Sequence, residues 1–104
     1  MIWKNKQNQR FLEAILSLES RDEAGLFLRD LMTEKEINEF GKRLQVAEML
    51  MQNISYTVIV QKTGLSSTTV ARVAKWLKGA GGGYQSVINK LNHHDSISRE
   101  RGLS

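Results

Sequence analysis

The sequence contains no cysteine, no proline and no long apolar run, and each gap removes a class of protein. Without cysteine there are no disulfides, no thiolate metal sites and no cysteine nucleophile. Without proline nothing forbids long helices. No apolar stretch approaches the roughly 18 residues of a membrane span. The start, Met1-Ile2-Trp3-Lys4-Asn5, lacks the apolar stretch of a signal peptide. The expectation is a cytoplasmic chain with no membrane partner. Negative charge is also missing from one long stretch. From Met49 to His94 the basic residues are Lys62, Arg72, Lys75, Lys78 and Lys90, and there is no acid; nine of the eleven acids lie between Glu13 and Glu48. A basic, carboxylate-free segment suits a polyanion, whereas an acidic half does not.

With 104 residues the chain fits one domain with a modest core. Subunits that share a core would make such a fold more secure. The apolar residues recur at helical spacing. Phe11, Leu12, Ile15, Leu16 and Leu18 predict a first helix over residues 8–18. Ser20-Arg21-Asp22-Glu23 matches a capping box and opens a second, carrying Leu26, Phe27, Leu28 and Leu31. Thr33-Glu34-Lys35-Glu36 is another such box, opening the longest periodic segment, to Gln52, with Ile37, Phe40, Leu44, Ala47, Leu50 and Met51 apolar. Asn53-Ile54 breaks it. Ser55 then caps a short helix over residues 56–63, Gly64 takes the left-handed position that ends it, and Ser66 caps a helix over residues 67–78. Residues 79–83 read as a glycine loop, residues 84–91 as a last short helix, and the polar stretch after them as a tail. The fold class is therefore all-α, with about six helices, a domain over residues 1–92 and a flexible tail over residues 93–104.

Two short helices joined by a tight glycine turn form the geometric core of a helix-turn-helix. Ile59 and Val60 pack inward from the first helix, Leu65 plugs the space between the two, and Val70, Val73, Ala74 and Leu77 make the buried stripe of the second. The opposite face presents Ser67, Thr68, Ala71, Arg72 and Lys75, short at the N-terminus and basic farther along. Such a helix can enter a major groove N-terminus first, hydroxyls and dipole toward phosphates and side chains toward base edges. The candidate DNA-binding residues are Ser66, Ser67, Thr68, Thr69, Ala71, Arg72, Lys75 and Lys78, with Thr57 on the preceding helix. An ordinary αα-corner would use the same threonines only to start a helix. In that case the protein is a helical interaction module that does not bind DNA.

The pattern Gly64-Leu65-Ser66-x-x-Thr69-Val70-x-Arg72 resembles the helix-turn-helix of the Trp-repressor superfamily. Leu31-Met32-Thr33 with Glu36, then Phe40-Gly41-Lys42-Arg43 and Glu48-Met49-Leu50, resembles the segment that enters and forms that family's long third helix. Among its branches the chain is most similar to short Trp-repressor-like bacterial proteins of the YerC/YecD type, which share the Gly-rich loop ending in Gly83-Tyr84. The resemblance covers roughly residues 10–91. It implies a transcriptional regulator, a repressor by family, built as an intertwined homodimer that sets two reading helices about one DNA turn, or about 34 Å, apart. The shared core would draw on Phe11, Leu12, Ile15, Leu28, Leu31, Ile37, Phe40 and Leu44.

In the Trp repressor, tryptophan sits between two arginines, which Arg43 and Arg72 match. Val73 replaces a glycine of that pocket and Trp76 a serine one turn later. The expectation is a vestigial pocket of Arg43, Arg72, Val73 and Trp76, closed by the indole, and no tryptophan co-repressor or other cofactor. Arg43 is then free to pair with Glu39, one turn earlier on its helix. Thr57 replaces an arginine that helps the repressor grip DNA, and Val60 stands where many such motifs carry alanine. His93-His94-Asp95 lacks the spacing of a helical zinc pair, so no metal is expected. The glycine run follows no strand and precedes no Gly-Lys-Ser/Thr, so it is not a phosphate loop. No nucleophile, base and orienter set is visible, which argues against an enzyme.

Overall fold

Small polar side chains decide where the helices begin. The computed structural model describes residues 1–100. It contains a 3-10 turn at Ile2–Lys4 and six α-helices: α1 (Lys6–Leu16), α2 (Arg21–Leu31), α3 (Glu34–Met51), α4 (Tyr56–Thr63), α5 (Ser67–Lys78) and α6 (Gly83–Glu100). No strand occurs among the described residues. The all-α expectation holds.

Two compact units are distinguished, Met1–Ile37 and Asn38 onward. In the first, α1 starts two residues before the expected Asn8 because Asn5 caps it, accepting N–H bonds from Gln7 at 2.8 Å and Asn8 at 3.3 Å. Asn8 and Gln9 donate back to the carbonyls of Ile2 and Trp3, tying the 3-10 turn to the helix. The helix ends at Leu16 rather than Leu18, where the Ser17 hydroxyl donates to the Ala14 carbonyl at 2.7 Å. Ser20 caps α2 as expected, accepting from the Glu23 N–H. The return arm differs by one residue, since the Glu23 carboxylate accepts from Glu19 rather than Ser20. Thr33 and Glu36 form the full reciprocal box at the start of α3. Yet no residue from Met1 to Ile37 is buried. Phe11, Leu12, Ile15, Leu26 and Leu31 are exposed, and Phe27, Leu28 and Ile37 only half-buried.

The second unit has a core. Val46, Ala47 and Met49 of α3, Ile59 of α4, Val70 and Val73 of α5 and Ile88 of α6 form one buried cluster. Ala74 and Leu77 of α5 are buried too. Leu44, Leu50, Met51, Ile54, Val60, Leu65 and Tyr84 pack around the cluster. Val46, Ala47 and Met49, rather than Phe40, carry the buried share of α3; Phe40 stays exposed. Helix α3 ends in a Schellman motif. The Ile54 N–H reaches the Met49 carbonyl at 3.1 Å and the Asn53 N–H the Leu50 carbonyl at 3.0 Å. That closure puts Asn53 at φ 62°, the left-handed region that asparagine tolerates better than most residues.

The last helix departs most from expectation. It starts at Gly83 and continues to Glu100, well past Leu91, so residues 93–100 of the expected tail are helical. Residues 101–104 of that tail lie outside the described residues. No glycine or proline interrupts the stretch from Tyr84 to Glu100, and Ile88 anchors its first turns in the core. Polarity exposes a helix face without ending the helix.

Candidate nucleic-acid interface

The segment from Ser55 to Lys78 is assembled by its own caps. Ser55 accepts from the Val58 N–H at 3.4 Å and starts α4. Ile59 fixes that helix in the core. Gly64 then turns the chain at φ 74° and ψ 3°, with its N–H donating to the Val60 carbonyl at 3.0 Å. A side chain there would pay the left-handed penalty of about 1–2 kcal/mol, which glycine avoids. Thr63, which the sequence reading passed over, completes the turn. It is buried, its hydroxyl donates to the Ile59 carbonyl at 2.7 Å, and it accepts from the Leu65 N–H at 3.2 Å. A threonine just before a helix-ending glycine was the available signal.

Ser66 caps α5, accepting from the Thr69 N–H at 3.2 Å, and its hydroxyl meets that of Thr69 at 3.0 Å. The expected stripe of Val70, Val73, Ala74 and Leu77 is buried. Ser67, Thr68, Ala71, Arg72, Lys75 and Lys78 are exposed, as is Thr57 on α4. Thr69 differs from this set: it is half-buried and its hydroxyl is engaged by Ser66. Arg72, Lys75 and Lys78 make no ion pair among the described residues. Their charge is therefore not neutralised by a carboxylate among the described residues, and Lys75 and Lys78 sit at the negative end of the helix dipole. The far end is tied by Gln85, whose side-chain amide donates to the Leu77 carbonyl at 2.8 Å. This contact was also missed, because it links α6 to α5 across eight residues.

The expected pocket needs correction in both shape and membership. An open cleft of about 600 Å³ is lined by Arg43 and Leu44 of α3, Trp76 of α5, the glycines at 81–83, Tyr84 and Val87. Arg72 and Val73 do not line it. Val73 is in the core, and Arg72 lies on the exposed face of α5. Trp76 does not fill the cleft; it stands at the edge, 68% exposed, because the buried stripe of α5 is complete without it. Arg43 and Glu39 pair as the spacing suggested, at 3.6 Å, and the guanidinium lies over the Phe40 ring, 5.6 Å from its centroid. The Arg43 Nε–H is buried without a partner among the described residues. His93, His94 and Asp95 are exposed on α6, and no group of three potential ligands is placed to hold a metal among the described residues.

Six helices, with a tight left-handed turn between a buried-faced α4 and a capped, one-side-exposed α5, define a helix-turn-helix protein. The chain belongs to the Trp repressor family, whose model matches residues 6–92. It is 30% identical over 98 residues to YerC of Bacillus subtilis, an uncharacterized protein, covering 94% of each chain. Its structure is similar to that of a TrpR-like protein from Eubacterium eligens, with a TM-score of 0.82 and 37% identity over 86% of this chain and 93% of that one. A second solved structure, from Staphylococcus aureus, gives 0.81 and 34% over 88% and 95%. The family is regulatory rather than enzymatic. No helix among the described residues is long and apolar enough to cross a membrane.

Proposed function

We propose that the chain is a sequence-specific regulator of transcription, a repressor in the sense of its family, that binds duplex DNA as a homodimer through α5. The observation that carries this reading is the face of α5: Ser67, Thr68, Ala71, Arg72 and Lys75 exposed together, with no carboxylate anywhere between Met49 and His94. Membership of the family supports the mode of binding. A face that meets phosphates releases counterions, so affinity falls steeply with salt. Fluorescence anisotropy with fragments of the native genome tests this at about 50 mM salt and above. Lys75→Ala weakens binding to all sequences if Lys75 meets phosphate and relaxes specificity if it reaches a guanine. Failure to bind any fragment at the lower salt would sink the proposal.

The regulator works without tryptophan. Val73, in the place of the repressor's pocket glycine, is committed to the core, and Trp76 sets an indole at the cleft where the repressor has a serine. The support is thus the absence of Arg72 from the cleft that Arg43 lines and an indole already at its edge, not the filled cavity the sequence suggested. A ligand shifts an equilibrium only through different affinities for its states. Calorimetry with L-tryptophan, with and without DNA, is the direct measurement. A tryptophan-dependent gain in DNA affinity contradicts this part.

A further inference from the structure

The recognition face carries hydroxyls, small apolar groups and cations, and lacks the amides and carboxylates that also read bases. Helix α5, from Ser67 to Lys78, contains no asparagine, glutamine, aspartate or glutamate. Asparagine and glutamine pair with adenine in the major groove, and carboxylates accept from the cytosine amino group. Both of those readouts are closed to this helix, which leaves adenine and cytosine edges only the exposed hydroxyls of Ser67 and Thr68. The Gln85 amide touches α5 but is bound to the Leu77 carbonyl at its C-terminal end, and Gln52, Asn53 and Gln61 lie after α3 and on α4. The first helix of such a motif crosses the backbone rather than entering the groove.

What remains is specific. Thr68, Ala71, Arg72 and Lys75 follow one another at steps of three, one and three residues and are exposed on one side of α5, opposite the Val70, Val73, Ala74 and Leu77 stripe. The methyl groups of Thr68 and Ala71 suit the thymine C5-methyl, and Arg72 and Lys75 suit guanine O6 and N7. Thr69 is half-buried and its hydroxyl turns to that of Ser66, so it is left out of this set. From Thr68 to Lys75 the helix advances roughly 10 Å at 1.5 Å per residue, or about three base-pair steps of 3.4 Å.

Resting on the DNA-binding reading above, we infer that each half-site is recognised as a block of three to four base pairs by thymine methyl groups against Thr68 and Ala71 and by guanine against Arg72 and Lys75. Adenine and cytosine edges meet no amide or carboxylate of this helix, only a hydroxyl of Ser67 or Thr68.

Modified bases test this with the unaltered protein, so folding is not at issue. Preferred sites are first selected from a random duplex pool by the full chain. Each thymine of the selected site is then replaced by deoxyuridine, which removes only the methyl, and each guanine by 7-deazaguanine, which removes only N7. At least one deoxyuridine position per half-site weakens binding about threefold to fivefold, the effect expected for one buried methyl. At least one 7-deazaguanine position weakens it about tenfold, within the range of a bidentate base contact. Thr68→Ser, which keeps the hydroxyl and removes the methyl, makes one of the thymines indifferent to that replacement. A selected site that binds tightly yet tolerates every deoxyuridine, or that is weakened by 7-deazaadenine instead, overturns the inference and leaves DNA binding intact. No binding to the starting pool at about 50 mM salt, a favourable condition, overturns both.

Discussion

In the first unit, Met1–Ile37, Asn5, Ser20 and Thr33 cap three successive helix starts, and nothing is buried. In the second, from Asn38 onward, Ser55 and Ser66 cap two more, and Val46, Ala47, Ile59 and Val70 are wholly removed from solvent. The contrast separates two jobs that helix-forming sequence does. A cap selects where a helix starts and contributes about 1 kcal/mol. Burial decides whether the helix persists, because isolated helices shorter than roughly 12–15 residues are marginal in water. Helices α1 and α2 have 11 residues each and no core of their own. The homodimer we propose supplies what they lack, a second copy to cover Phe11, Leu12, Ile15 and Leu31.

The largest expected effect tests that contrast directly. Phe11 is 41% exposed in the single chain. A surface residue of that kind costs no more than about 0.5 kcal/mol when truncated. Covered by a second copy, Phe11→Ala costs about 3–5 kcal/mol, typical of a buried aromatic. Ile59→Ala, in the core of the second unit, costs about 2–5 kcal/mol with or without such a copy. Chemical denaturation of both variants is the measurement, and midpoints that rise with protein concentration mark folding coupled to association. If Phe11→Ala unfolds like the parent and sedimentation shows a compact monomer across micromolar concentrations, the first unit stands without cover and the dimer is wrong.

A smaller effect sharpens the comparison inside the second unit, at the two left-handed residues that bracket α4. Nothing lies within 4 Å of a Cβ built on Gly64, so the penalty there is backbone alone. Gly64→Ala is expected to cost about 1–2 kcal/mol and to weaken DNA binding further by shifting α5 against α4. Asn53→Gly is expected to be nearly neutral, within about 0.5 kcal/mol, because asparagine already tolerates φ 62°. Thermal unfolding of the pair reads this out. Equal loss in both would mean that the turn is set by packing rather than by φ.

These residues also show what the sequence disclosed. Gly64, Ser66 and the stripe of Val70, Val73, Ala74 and Leu77 were legible because each is a local signal with one physical meaning. So was the Arg43–Glu39 pair, fixed by helical spacing. The status of Trp76 was not. Aromatic bulk argues for burial, but whether a helix has room for it depends on neighbours brought in by α3 and the glycine loop. Thr63 and Gln85 were missed for related reasons, since a hydroxyl satisfied within its own turn and an amide reaching another helix leave no periodic trace. The length of α6 is not legible in polarity, because polar residues expose a helix face without ending it, and no glycine or proline stops the chain before Glu100.

The smallest effect lies at the start of α3. The Glu36 carboxylate accepts the Thr33 N–H at 3.0 Å and the Thr33 hydroxyl at 3.0 Å. Both bonds favour the charged form, and the backbone bond foremost holds its pKa below the ordinary glutamate value. An acid depressed in the folded state contributes stability that is present above its unfolded pKa, about 4.3, and is lost as pH falls through the lower folded value. The capping box therefore loosens only in acid, below the ordinary glutamate range, and has no pH dependence near neutrality. Glu36 is fully exposed, so the effect is local and read best site by site. Carboxyl-detected NMR titration should place Glu36 below the ordinary glutamate value. Thr33→Ala removes the hydroxyl and should move Glu36 part of the way back, since the backbone bond that contributes most remains. Glu36→Gln keeps an acceptor for the N–H and should leave the start of α3 insensitive to acid. A Glu36 midpoint at the ordinary glutamate value would show that the reciprocal box does not persist in solution, and with it would go the view that caps alone fix the helix starts of the first unit.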